Sequence, residues 1–93
     1  QLNLLEHRVV VEGREVKLTP TEYELLKVML KYAGRVLTHK QLLKAVWGNE
    51  YDTDTHYIRI YMRQLRRKIE PDPAQPKYLI TEAGIGYRLL GGE

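Results

Sequence analysis

The sequence predicts an α+β fold with an N-terminal antiparallel sheet, a three-helix core and a C-terminal β-hairpin. Three features point to it. Alternating and β-branched runs fill residues 2–18. Two threonine-led capping boxes, at Thr19 and Thr38, announce successive helices. Glycines bracket a short loop between two strand-like runs near the end of the chain. With 93 residues the chain is expected to form one domain spanning residues 1–93.

The opening segment reads as a small meander. Leu2-Asn3-Leu4 alternates, Arg8 to Glu12 is β-branched, and Gly13 punctuates before Glu15-Val16-Lys17-Leu18. Strands this short need a packed face, so the helices that follow are expected to cover them. Thr19-Pro20-Thr21-Glu22 starts the first helix, with proline at its first position. Tyr23, Leu26, Leu30 and Ala33 recur at helical spacing, and Gly34 stops the helix. Val36 and Leu37 read as a brief extended link. Thr38-His39-Lys40-Gln41 opens the second helix, whose apolar stripe is Leu42, Leu43, Val46 and Trp47 up to Gly48. A polar connection from Gly48 to Asp54 leads to the third helix, about 54–69, with the core stripe Ile58, Met62, Leu65 and Ile69. Pro71, Pro73 and Pro76 exclude helix from the next segment. The strands Tyr78–Thr81 and Tyr87–Leu90 then flank Glu82-Ala83-Gly84-Ile85-Gly86 as a hairpin spanning 78–90.

Composition removes several chemistries. There is no cysteine and no serine, so disulfide scaffolds, thiolate metal sites, thiol nucleophiles and serine hydrolysis are excluded within this sequence. No apolar run reaches the roughly 18 residues of a membrane span, and no signal-peptide pattern opens the chain. A cytoplasmic location is the expectation. Gln1 rather than methionine stands first, as expected of a domain cut from a longer protein. The three histidines, His7, His39 and His56, fall on different elements with no ligand spacing, so neither a metal nor another cofactor is expected.

Charge is concentrated. Residues 53–69 carry Arg59, Arg63, Arg66, Arg67 and Lys68 against Asp54 alone, so this segment exceeds the net charge of +3 for the whole chain. A focused basic stripe is the footprint of a polyanion binder, although a solvated helix face can carry the same charge. The order helix, helix, basic helix, hairpin is that of a winged helix-turn-helix. A helix of this kind fits the major groove of duplex DNA, while a hairpin reaches the neighbouring minor groove.

Projected at about 100° per residue, the third helix turns its apolar stripe to one side. His56, Arg63 and Arg67 lie opposite, with Arg59 on the shoulder, Ile60 near the centre, and Tyr57 and Gln64 completing the exposed side. Arginine pairs bidentately with guanine, and an outward isoleucine suits a thymine methyl. Ile60 packing against the hairpin is the alternative. Arg66 projects toward the core shoulder, which favours a phosphate or structural role over base reading. Tyr61 suits packing, and Tyr57 suits either packing or a phosphate contact. Trp47 reads mostly as core, with its indole N–H available to a phosphate at the groove edge.

The chain resembles the DNA-binding effector domains of OmpR/PhoB-type response regulators. The resemblance rests on Thr19-Pro20-Thr21-Glu22-Tyr23-Glu24-Leu25-Leu26, Val36-Leu37-Thr38, Leu42-Leu43, Val46-Trp47-Gly48, Arg63-x-Leu65-Arg66-x-Lys68 and Gly84-x-Gly86-Tyr87-Arg88. These motifs span nearly the whole chain in family order. His56-Tyr57-x-Arg59-Ile60-Tyr61-Met62 and Asp72-Pro73-Ala74-x-Pro76 are similar to one branch of that family, the regulators of potassium-transport operons.

The resemblance implies a four-stranded N-terminal sheet, a three-helix core and a hairpin wing. It implies an output domain of a two-component phosphorelay that binds direct-repeat DNA as a head-to-tail dimer, with a sensor kinase acting on a receiver domain absent from this chain. Asp52, Asp54 and Asp72 are therefore not phosphoacceptors. The connection from Gly48 to Asp54 matches the loop through which family activators touch RNA polymerase, with Glu50, Tyr51 and Asp52 as partner-facing residues or as plain solvated ones. Thr81 and Tyr87 match wing positions that bind phosphates, and Arg88 can assist, although Tyr87 also reads as a packed strand residue. Many relatives place an arginine before the wing glycine. Here Ala83 stands there, beside Glu82, which would repel phosphate unless paired.

Two other classes stay open. Catalysis has little support: Gly84-Ile85-Gly86 lies in a hairpin, not between a strand and a helix, so it is no nucleotide fingerprint. A protein-interaction module on the same fold is the stronger rival, because fold does not fix function.

Overall fold

The computed structural model describes residues 2–48 and 55–90. Three short strands, β1 (Leu2–Leu5), β2 (Arg8–Val11) and β3 (Arg14–Lys17), form an antiparallel meander. Glu12 and Gly13, both left-handed at φ 49° and 84°, make the two-residue turn between β2 and β3. Two successive positive φ values match the right-handed twist of the flanking strands. Among the described residues this sheet has three strands, where the family resemblance implied four; the chain leaves β3 directly for the first helix.

Helix α1 (Pro20–Lys31) begins at the expected capping box, with Thr19 N donating to Glu22 Oε1 at 2.9 Å and Glu22 N to Thr19 Oγ1 at 3.2 Å. Its buried face differs from the expected stripe. Glu22, Leu25, Leu26 and Met29 are buried, Tyr23 and Leu30 only half-buried, and Ala33 lies exposed beyond the helix end. The helix packs on both α2 and the last strand, which rotates its core face toward Leu25 and Met29.

Val36–Thr38 is not a link but a strand, β4. Backbone pairing decided this, which no three-residue apolar pattern could announce. Helix α2 (His39–Trp47) follows at once, capped reciprocally by Thr38 and Gln41. Its Leu42 and Leu43 are fully buried, whereas Val46 and Trp47 are half-buried. Helix α3 (Thr55–Ile69) buries the whole expected stripe, Ile58, Met62, Leu65 and Ile69.

Strands β5 (Leu79–Glu82) and β6 (Gly86–Leu89) form the closing hairpin, and β6 pairs also with β4, giving the sheet order β4-β6-β5. The register sets Leu37 opposite Tyr87 and Thr38 opposite Gly86. A Cβ on Gly86 would stand 1.9 Å from the Leu37 carbonyl oxygen, so only glycine permits this crossing of strands. Tyr78 and Leu90, expected within the strands, flank them instead, with Leu90 N donating to Tyr78 O at 2.8 Å.

Candidate nucleic-acid interface

The five cations of α3 divide into two groups. Lys68 turns inward, its Nζ 2.5 Å from Oε1 of Glu22, whose side chain is 2% exposed. The buried carboxylate therefore both caps α1 and holds the C-terminal end of α3. Arg66 turns toward the hairpin. Its Nε and Nη2 donate to the Leu79 carbonyl at 3.1 and 2.9 Å, and Nη2 donates to Thr81 Oγ1 at 2.5 Å. The guanidinium also lies 5.8 Å from the centre of the Tyr87 ring. Of the two roles left open for Arg66, the structure supplies the structural one, by hydrogen bonds rather than a salt bridge.

Arg59, Arg63 and Arg67 remain, exposed and without hydrogen-bond or ion-pair partners among the described residues. Four-residue spacing places them one above another, about 6 Å apart along the helix axis. With Arg66, Pro73 and Tyr87 they line a cleft of about 350 Å³ between α3 and the hairpin. Burial pushes the Tyr87 phenol up, and the positive charges of Arg66 and Arg59 pull it back. The phenol thus stays a neutral donor facing a cationic wall.

Ile60 and Tyr57 are exposed, at 38% and 43%, on the same helix. Ile60 is not buried by the hairpin. His56 is exposed as well. Trp47 is half-buried, with its ring 5.3 Å from that of Tyr61, so α2 and α3 are joined by an aromatic contact beside the connection that leaves α2. Glu50, Tyr51, Asp52 and Asp54 lie outside the described residues.

On the hairpin, Thr81 is exposed and stands opposite the buried Tyr87 in the register, so both side chains share the face turned to α3. Glu82 is paired with Arg88 at 2.6 Å, which neutralises the carboxylate and engages the arginine. Ala83 and Ile85 are exposed at the hairpin tip.

Sequence reading missed the parts that fix the hairpin's base. Glu70, at 4% exposure, accepts from three consecutive backbone amides, Lys77 N at 2.8 Å, Tyr78 N at 3.0 Å and Leu79 N at 2.8 Å. The Tyr78 hydroxyl donates to the Glu12 carboxylate, and Lys77 pairs with Glu12 at 3.0 Å. Glu12 is held below its ordinary range by the Tyr78 hydrogen bond and then by Lys77, while the same bond raises the Tyr78 phenol. Only the position of Glu70, straight after the basic helix and before Pro71, hinted at its role.

Comparison with known proteins places these features. A family profile described as "Transcriptional regulatory protein, C terminal" matches residues 13–89. The chain is 54% identical over 87 residues to the KDP operon transcriptional regulatory protein KdpE of Escherichia coli, covering 92% of this chain and 39% of that protein. It is 48% identical over 87 residues to the transcriptional regulatory protein KdpE of Mycobacterium tuberculosis, covering 94% of this chain and 38% of the relative. It thus spans about two-fifths of the length of these relatives. Among solved structures, the DNA-binding domain of Bacillus subtilis CssR superposes with a TM-score of 0.77 at 28% identity, covering 96% of this chain and 99% of that one. The chain belongs to the family of transcriptional regulatory protein C-terminal domains, those of OmpR/PhoB type.

Proposed function

We propose that this domain binds double-stranded DNA in a sequence-specific way, as the transcriptional output domain of a two-component system. Helix α3 enters the major groove, and the hairpin 78–90 lies alongside as the wing. The observation that carries this reading is the column of Arg59, Arg63 and Arg67, unpaired among the described residues, which opens with Tyr87 onto one cleft. Cations left unpaired on a rigid helix are suited to phosphate oxygens and guanine edges. His56, Tyr57 and Ile60 share the exposed side of α3 and add base or sugar contacts. Thr81 and Tyr87 serve as phosphate donors from the wing, and the Trp47 indole as one at the groove edge. Arg88, held by Glu82, contributes chiefly by cancelling that carboxylate.

The whole regulator would bind direct-repeat sites as a head-to-tail dimer in the cytoplasm. It would carry a receiver domain on which a sensor kinase acts, and would touch RNA polymerase through Glu50, Tyr51 and Asp52. The domain itself performs no catalysis in this reading. The greater length of the KdpE relatives leaves room for such a receiver.

The test is selection of bound duplexes from a random pool, followed by titration of the enriched duplex at several salt concentrations. Enriched direct repeats and a steep loss of affinity with salt are expected, because neutralised phosphates release counterions. A flat plot of log K against log salt would overturn the reading in favour of a protein-interaction module.

A further inference from the structure

We propose that Arg66 is a positioning residue that holds the Thr81 hydroxyl oriented to donate to a DNA phosphate, without touching the DNA itself. This rests on the DNA-binding reading above. A threonine hydroxyl has one donor hydrogen and two acceptor lone pairs, and its rotor normally turns to suit whatever neighbour arrives. Here the rotor is constrained. Arg66 Nη2 donates to Thr81 Oγ1 at 2.5 Å, so a cationic donor occupies one of the two lone pairs and turns the hydroxyl hydrogen away from itself. The hydrogen must then point elsewhere, and Thr81 is exposed with no acceptor for it among the described residues. Donation from a guanidinium also polarises the O–H bond, which strengthens its own donation to an anion.

The guanidinium is itself fixed. Its Nε and Nη2 both grip the Leu79 carbonyl, at 3.1 and 2.9 Å, and it rests beside the Tyr87 ring. It is part-buried, unlike Arg59, Arg63 and Arg67, which stand exposed. Thr81 and Tyr87 are cross-strand partners. Their side chains are therefore presented from one face, the Thr81 hydroxyl and the Tyr87 ring both beside the same guanidinium. Arg66 thus converts part of the positive charge of α3 into a directed O–H donor on the wing, one that a freely turning threonine would not hold in place.

The experiment measures affinity and salt dependence on the duplex enriched from the random pool, for Arg66→Gln, Arg66→Lys, Thr81→Val, Thr81→Ser and the double variant Arg66→Gln with Thr81→Val. Thr81→Val is expected to weaken binding about tenfold, the loss of one hydrogen bond to a charged acceptor, and Thr81→Ser, which keeps the hydroxyl, should bind more tightly than Thr81→Val. Arg66→Gln should cost a similar factor, with the slope of log K against log salt unaltered, and the double variant should be no weaker than either single one. Arg66→Lys should fail to restore affinity, since an ammonium cannot grip Leu79 and Thr81 with one planar fork. Three results would overturn the proposal. One is a slope reduced by about 0.9 in Arg66→Gln, which marks a released counterion and direct phosphate contact. Another is losses that add in the double variant. The last is full affinity in Arg66→Lys, which folds with its charge retained and binds phosphate as a point charge. If the unaltered domain shows no salt-dependent binding, it is the DNA-binding reading that fails instead.

Discussion

The Glu70 carboxylate lies 3.0 Å from the backbone nitrogen of Tyr78 and joins the end of α3 to the start of the wing. The same carboxylate takes the neighbouring amides of Lys77 and Leu79. Three amides that would otherwise be left without partners at the root of β5 converge on one buried anion. Such amides carry partial positive charge, so the acceptor oxygens are met by backbone donors rather than by a cationic side chain.

Glu70→Ala should therefore destabilise the domain by about 3 kcal/mol, because buried amide donors lose their acceptor. Urea unfolding measures this. Glu70→Gln should fall between, as its amide nitrogen confronts other N–H groups. A loss under about 0.5 kcal/mol in Glu70→Ala would show that water replaces the carboxylate without cost.

Lys68 and Arg63 are both cations of α3, yet they should respond differently to removal. Lys68→Met strands the Glu22 carboxylate and should lower stability by about 1–2 kcal/mol, with the salt slope of DNA binding intact. Arg63→Ala should leave stability within about 0.5 kcal/mol. On the enriched duplex it should cost roughly 1–3 kcal/mol and relax preference at one base position if it reads guanine. Equal losses on enriched and random duplexes would reassign Arg63 to phosphate positioning.

Glu12 links acid stability to the wing. Its folded pKa is depressed by the Tyr78 hydroxyl and by Lys77, so the stabilisation it provides is present above the ordinary carboxylate range and is lost as pH falls through the folded value. The Tyr78 phenol is raised by the same bond, so its contribution holds below pH about 10 and fades as pH rises further. Tyr78→Phe should flatten the pH dependence of the thermal midpoint at both ends. An unchanged profile would show that the contact is not maintained in solution.

Ala83 leaves the wing tip without the arginine that many relatives carry. Ala83→Arg should strengthen binding, most where an A·T-rich flank narrows the minor groove beside the major-groove site. The pairing of Glu82 with Arg88 removes the nearest repulsive charge. Single-site affinity unchanged on both kinds of flank would count against a wing that enters the minor groove.

Local signals made most of the fold legible. Capping boxes placed α1 and α2 because their hydrogen bonds join residues only three positions apart. The α3 stripe followed from a helix with one face in the core. The reading failed where long-range partners decide. Val36–Thr38 became a strand only because β6 lies beside it, and Leu25 and Met29 were buried by helices and strands packed from two directions. The candidate site divides the same way. The exposed column of α3 could be drawn from periodicity, but which cations remain unpaired depended on Glu22 and on the Leu79 carbonyl, distant in sequence from Lys68 and Arg66.

The pairing of β4 with β6 also dictates when a newly made chain can finish folding. Leu37 waits for Tyr87, fifty residues later, so the edge of β4 stands unsatisfied while α2 and α3 emerge from the ribosome. Local contacts can form early, but the most non-local pairing closes last and carries the largest loop-closure cost. A nascent chain, or one clipped before Gly86, would display an open strand edge next to α2, which is a template for pairing with another chain and a handle for chaperones and proteases. The closing hairpin is thus also a check on a completed domain: only a chain read through β6 can hide that edge.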